Sequence, residues 1–81
     1  RGRYSVVEEK VPPGAKAVGV QLKDLGLPDQ CVIAAIIRNG HITLPRGTAS
    51  LEAGDEVLAV TDDEGARQLA LLLEPPDRSI L

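Results

Sequence analysis

Cys31-Val32-Ile33-Ala34-Ala35-Ile36-Ile37-Arg38-Asn39-Gly40-His41-Ile42-Thr43-Leu44-Pro45 is the stretch on which the fold turns. An unbroken apolar run from Cys31 to Ile37, short and rich in β-branched residues, predicts a strand buried on both faces at the centre of a sheet. Asn39-Gly40 follows Arg38 and predicts a tight hairpin, because a type I′ turn needs positive φ at both central positions. The return segment His41-Ile42-Thr43-Leu44 alternates. Period-two patterning predicts Ile42 and Leu44 inward and His41 and Thr43 outward, until Pro45 closes the strand.

Working outward, Tyr4 to Val11 mixes Val6, Val7 and Val11 with Glu8, Glu9 and Lys10. This predicts a half-exposed strand ended by Pro12-Pro13-Gly14. Val18, Leu22 and Leu25 then follow at spacings of four and three, the apolar stripe of a short helix of two or three turns. Gly26 stands at its C′ position, with Leu27 folding back and Pro28 blocking continuation. Downstream of the hairpin, Pro45 to Ala49 is a loop and Leu51-Glu52-Ala53-Gly54-Asp55 a turn. Glu56 to Thr61 is a second buried strand. Thr61 or Asp62 caps a last helix, with Glu64 placed as in a capping box. Leu69, Leu72 and Leu73 form the apolar face of that helix, supported by Ala66 and Ala70, and Pro75 stops it. The expected architecture is α+β: a small β-α-β-β-β-α domain with a mixed or antiparallel sheet and two helices. Residues 1–81 form one domain, with its core over about 4–74 and a Pro-rich tail over 75–81.

Composition narrows the function. Apolar residues make up 43% of the 81, yet Tyr4 is the single aromatic. The core is therefore built from small aliphatic side chains. A chain of this size buries roughly 7,800 Å² on folding. If about 60% of that is apolar, the gain is about 115–120 kcal/mol, against about 120 kcal/mol for ordering the chain. A balance this close to zero, in a chain whose single cysteine excludes an internal disulfide, predicts further burial in an oligomer. The net charge of −3 without a basic run disfavours nucleic acid. No apolar stretch is long enough to span a bilayer. The lone cysteine and the lack of a leader-like start predict a cytoplasmic setting, and the start at Arg1-Gly2-Arg3 predicts a piece of a longer protein.

Catalysis finds little support. One His and one Cys on different strands do not make a metal site, and Cys31 reads as a small core residue. His41 sits just past a turn and reads as exposed. Glu8 and Glu9 are neighbours on a strand and face opposite sides, so they are no carboxylate pair. No serine has nucleophile-elbow glycines, and neither phosphate-loop fingerprint occurs. The reading is of a non-enzyme without catalytic or metal residues. Arg38 and Arg46 flank the return strand; they are either solvated strand ends or an anion site, and two arginines brought together need a counter-charge from Asp, Glu or a ligand phosphate.

Several motifs in order resemble one family. They are Val-Pro-Pro-Gly at 11–14, Gly19 with Leu22 and Leu25, Val32 to Arg38, Asn39 to Gly47, and Leu51-Glu52-Ala53-Gly54-Asp55-Glu56-Val57. Together, across residues 5–73, they resemble the C-terminal domain of RCK (regulator of potassium conductance) proteins, the TrkA-C domain. The resemblance implies a dimerising regulatory domain attached to a potassium channel, a Trk or Ktr uptake system, or a cation–proton antiporter. Homodimerisation and a membrane cation channel or transporter are the implied partners, without nucleic acid and without insertion into the membrane. Some members bind cyclic di-AMP at the dimer interface, others a different small anionic ligand or none known. By position, the implied ligand residues are Ile36, Ile37, Arg38 and Asn39, with Leu44 and Pro45 on the return strand, and Arg46 joins the candidate site from the anion reading of the two arginines. The alternatives are a purely structural dimerisation module and an AbrB-like swapped-hairpin DNA-binding domain. The latter resemblance is carried by Asn39 to Pro45 and Ala53 to Val57 alone.

Overall fold

The structure, a computed structural model, describes residues 3–76. Residues 1–2 and most of the expected tail, 77–81, lie outside the described residues. Four strands form one antiparallel sheet in the order β1-β4-β2-β3: β1 Ser5–Lys10, β2 Cys31–Arg38, β3 His41–Thr43 and β4 Glu56–Thr61. One α-helix, α1 (Asp63–Leu72), follows β4. The α+β class therefore holds, and the sheet is antiparallel throughout.

The hairpin forms as its chemistry demands. Asn39 and Gly40 have φ of 53° and 78°, and Arg38 pairs with His41 across the turn. Side chains paired across adjacent strands share a face. Ile36 and Val57, Ile33 and Ala59, and Cys31 and Thr61 are such pairs on the core face, where Val7 and Thr43 join them. Leu69 and Leu73 of α1 cover this face together with Val11, Ala17, Leu25 and Leu51. A bulge at Ala34, between the Ile33–Ala59 and Ala35–Leu58 pairs, keeps both Ile33 and Ile36 turned to the core.

Asp62 caps α1, its Oδ1 accepting from the Gly65 N–H at 2.8 Å. Glu64 does not close a capping box. Its carboxylate accepts instead from Arg67 and Gln68 one turn on. Gly65 lets α1 lie close on the sheet, since a Cβ there would collide with the Thr61 hydroxyl and stand 3.0 Å from Cys31 Cβ. Cys31 is a buried free thiol, as expected of a core residue.

Three expectations are corrected. The helix predicted around Val18, Leu22 and Leu25 is a single 3₁₀ turn, Leu22–Asp24, so the second helix is absent. Gly19 at φ 83° breaks any right-handed helix there. The segment spends its backbone groups on the 47–51 loop instead: Gly19 N–H to Leu51 O at 2.7 Å, Leu22 N–H to Ala49 O at 2.9 Å and Lys23 N–H to Gly47 O at 3.0 Å. Secondly, β2 is buried on one face only, and Val32 is 58% exposed. Thirdly, Ile42 and Leu44 point away from the core and are exposed, while half-buried Thr43 lies beside Ile36 on the core face.

Candidate ligand site at the hairpin and the open sheet face

Arg38 is the one charged residue of β2, and its position at the strand end decides what it can do. It reaches back beneath the hairpin to Asp55 at the start of β4. Its Nε and Nη2 donate to Asp55 Oδ1 and Oδ2, each at 2.8 Å, and Nη2 also donates to the Ser50 carbonyl at 2.9 Å. Nη1 stands 3.2 Å from Glu52 Oε2. The Glu52 N–H donates to Asp55 Oδ2 at 2.9 Å, so the Asp55 carboxylate, 1% exposed, is hydrogen-bonded on both oxygens. Hydrogen bonding from Arg38, aided by the Glu52 N–H, holds the Asp55 carboxyl below the usual carboxylate range against the opposing pull of burial. The counter-charge that Arg38 needs is thus internal. The guanidinium acts as a tie between the hairpin and the Glu52–Asp55 turn.

The other expected ligand residues divide by face. Ile36 is fully buried in the core and offers no side-chain surface to a ligand. Ile37 is half-buried on the opposite, open face of the sheet, paired with Ile42. Asn39 and Arg46 are exposed, and Leu44 is 59% exposed. Pro45 is half-buried and lines a cleft of about 400 Å³ with Lys23, Leu27, Val32 and Gly47. The hairpin therefore brings Asn39, Ile42, Leu44 and Arg46 to one sheet edge, and Lys23 and Val32 lie beside Pro45. Lys23 was out of reach of sequence reasoning because its place depends on the 3₁₀ turn meeting the 47–51 loop. Asp55 left a weak signal, since Glu52 and Glu56 stand beside it in the sequence and only the pairing of β2 with β4 singles it out. Among the described residues, no three His, Cys, Asp or Glu side chains are grouped to hold a metal. No helix of the described residues is long and apolar enough to cross a membrane.

The chain is 44% identical over 75 residues to a Trk system potassium uptake protein TrkA homolog of Archaeoglobus fulgidus, an alignment covering 93% of this chain and 17% of that protein. It is 31% identical over 68 residues to Trk system potassium uptake protein trkA homolog 1 of Methanosarcina mazei, covering 84% of this chain and 17% of the relative. The chain thus spans about a sixth of the length of these relatives. Among solved structures, an RCK domain with "cda" superposes with a TM-score of 0.76 at 26% identity, covering 86% of this chain and 99% of that one. The RCK C domain of the potassium transport protein KtrA, in complex with cyclic diadenosine monophosphate, superposes with a TM-score of 0.69 at 28% identity, covering 82% and 79%. The sheet order, the Asn39-Gly40 hairpin and the Arg38–Asp55 tie all fall within residues 6–74, the span that matches the TrkA-C domain model, and the chain belongs to that family.

Proposed function

We propose that this chain is a dimerising, ligand-sensing regulatory domain of a potassium or other cation transport protein, working in the cytoplasm by binding rather than catalysis. The ligand is a small anion, with cyclic di-AMP the first candidate, held at the hairpin between two copies. One observation carries this reading: Asn39, Ile42, Leu44 and Arg46 are all exposed along the hairpin's edge strand and its flanks, beside an uncovered apolar sheet face. A nucleotide needs such a mixture. Apolar side chains sandwich the base, amide and backbone groups read its edge, and a cation meets the phosphate. With Tyr4 the single aromatic, base contact here rests on aliphatic side chains. Ile36 and Arg38 belong to this site as supports, the first from the core and the second as the tie under the turn. The match across residues 6–74 favours this reading over the swapped-hairpin DNA-binding alternative, whose resemblance rests on two short segments.

Titration calorimetry of the chain with cyclic di-AMP tests the proposal. Saturable heat at one ligand per two chains is expected, weakened about tenfold or more in Arg46→Ala, in line with the loss of one charge-assisted hydrogen bond. No heat with wild type rules out this ligand. A dimer that stays unaffected by it fits the structural dimerisation module instead.

A further inference from the structure

The chain leaves α1 through Glu74-Pro75-Pro76, and this exit lies against the turn that follows β1, Pro12-Pro13-Gly14. Gly14 has a φ of 83°, and a Cβ built on it would come within 2.8 Å of Pro76 Cγ. The Pro76 ring thus seats on the bare Cα of Gly14. Pro75 lines one apolar cleft together with Pro12, Pro13, Gly54 and Leu73. The turn is anchored in its own right. Val11, just before it, donates to the Asp55 carbonyl at 2.9 Å and accepts from the Gly54 N–H at 2.8 Å. Asp55 is the residue that Arg38 grips. A continuous line of contacts therefore runs from the hairpin through Arg38, Asp55 and Val11 to the exit of the chain.

We infer that Glu74-Pro75-Pro76 is a latch, seated on Gly14, whose hold is linked to the Arg38–Asp55 tie. Stiffness makes the link. Each proline fixes its own φ at about −65°, and a Pro-Pro run acts as a semi-rigid spacer. Pro12-Pro13 therefore carries Gly14 from Val11 with little slack, and Pro75-Pro76 carries the ring from the end of α1 in the same way. Two stiff segments that meet at one close contact are either seated or apart, because packed contacts are bistable rather than continuously deformable. Loosening the tie frees the Gly54–Asp55 turn and Val11 to move together and unseats the ring. By reciprocity, releasing the ring loosens the turn. An event that pulls on Arg38 at the hairpin is thereby felt where the chain leaves α1, whichever ligand the hairpin takes. Positive φ alone would also call for glycine at position 14, as it does at Gly19. There φ is again 83°, but a Cβ meets nothing within 4 Å. The two positions are a matched pair for separating backbone strain from the seat of the ring.

NMR and amide hydrogen exchange of the 81-residue chain test this. A nuclear Overhauser contact between the residue 14 Hα and the Pro76 ring protons is expected in the wild type. Gly14→Asn keeps the left-handed backbone, which Asn tolerates, but adds a Cβ and is expected to abolish the contact. Gly19→Asn, at the same φ and in open space, keeps it. Pro76→Gly removes the ring and leaves the turn untouched. In Gly14→Asn and Pro76→Gly, exchange of the Gly54 N–H, bonded to Val11, and the Glu52 N–H, bonded to Asp55, is expected to quicken. The expected change is about fivefold or more, the low end of typical coupling between sites. The Gly65 N–H, capped by Asp62 at the other end of α1, is expected to exchange as in wild type. In the reverse direction, Arg38→Lys is expected to move the Pro76 ring signals toward those of Gly14→Asn. A wild type without the contact overturns the inference. So do Gly54 and Glu52 exchange rates that ignore the ring, a rise shared equally by Gly65, and Pro76 signals that ignore Arg38→Lys. Pro76 lies outside every strand and helix, so its replacement keeps the fold and a null result counts against the latch. No ligand enters these readouts, so the proposed function stands or falls separately.

Discussion

At the scale of single residues, Arg38 shows how one side chain can be legible in type and not in role. Its exit from an apolar strand and its need for a counter-charge are visible in the sequence. Which counter-charge it takes is not, because Asp55 lies 17 positions away and meets it through strand pairing. Replacing Arg38 leaves a carboxylate that is 1% exposed without its two strongest donors, and the Ser50 carbonyl without its partner. Breaking such a pair costs about 3 kcal/mol, the low end for buried pairs because Arg38 is itself a quarter exposed. Arg38→Lys recovers only part of this, since an ammonium cannot fork onto both oxygens. The pH dependence follows from the depressed Asp55 value. Its contribution is complete above the unfolded value of about 3.9 and is lost as pH falls through the lower folded value. Urea midpoints of wild type and Arg38→Ala should therefore differ most near neutrality and converge in acid. A constant gap down to pH 2 would show that the tie contributes packing rather than charge.

Among the elements, those decided by local chemistry were readable and those decided by distant backbone pairing were not. The hairpin needs only Asn39-Gly40 between two apolar runs, and α1 needs only a cap and a Leu stripe before Pro75. Both form where expected. The segment around Leu22 carries an equally helical spacing, yet hydrogen bonds from the 47–51 loop take its backbone groups. Nothing local announces that competition. Alternation in β3 was also real, but period-two patterning states which residues share a face and not which face is covered. The inward places expected for Ile42 and Leu44 do not follow from alternation alone, because the sheet carries apolar side chains on its open face as well. Gly65 allows a test at this scale. Alanine there gains about 1 kcal/mol in helix propensity. The collision with Thr61 Oγ1 and the close approach to Cys31 require α1 to shift on its sheet, at a cost of about 1–3 kcal/mol. Thr61 and Cys31 are both buried and have little room to yield, so Gly65→Ala is expected to lower the urea midpoint at unchanged slope. A raised midpoint would mean that α1 can ride outward freely.

For the whole molecule, the two open features are one surface. Ile42 belongs both to the open sheet face, with exposed Val6, Val32 and Val60, and to the hairpin edge that carries Asn39, Leu44 and Arg46. A ligand held at that edge between two copies has a site only in the pair, so its binding and pairing are linked by thermodynamic necessity. The size of the linkage is bounded by mass action. A ligand that binds the pair alone, present at 100 times its dissociation constant, stabilises the pair by about 2.7 kcal/mol. Pairing should then tighten about 100-fold. Sedimentation at a fixed chain concentration near the wild-type midpoint, with and without cyclic di-AMP, should shift from mixed to wholly paired. Arg46→Ala should pair as wild type without ligand and fail to respond to it. Equal pairing in both conditions, in a chain that does bind the ligand, would place the ligand within one copy. The angle between subunits, rather than their association, would then carry the signal to the transporter.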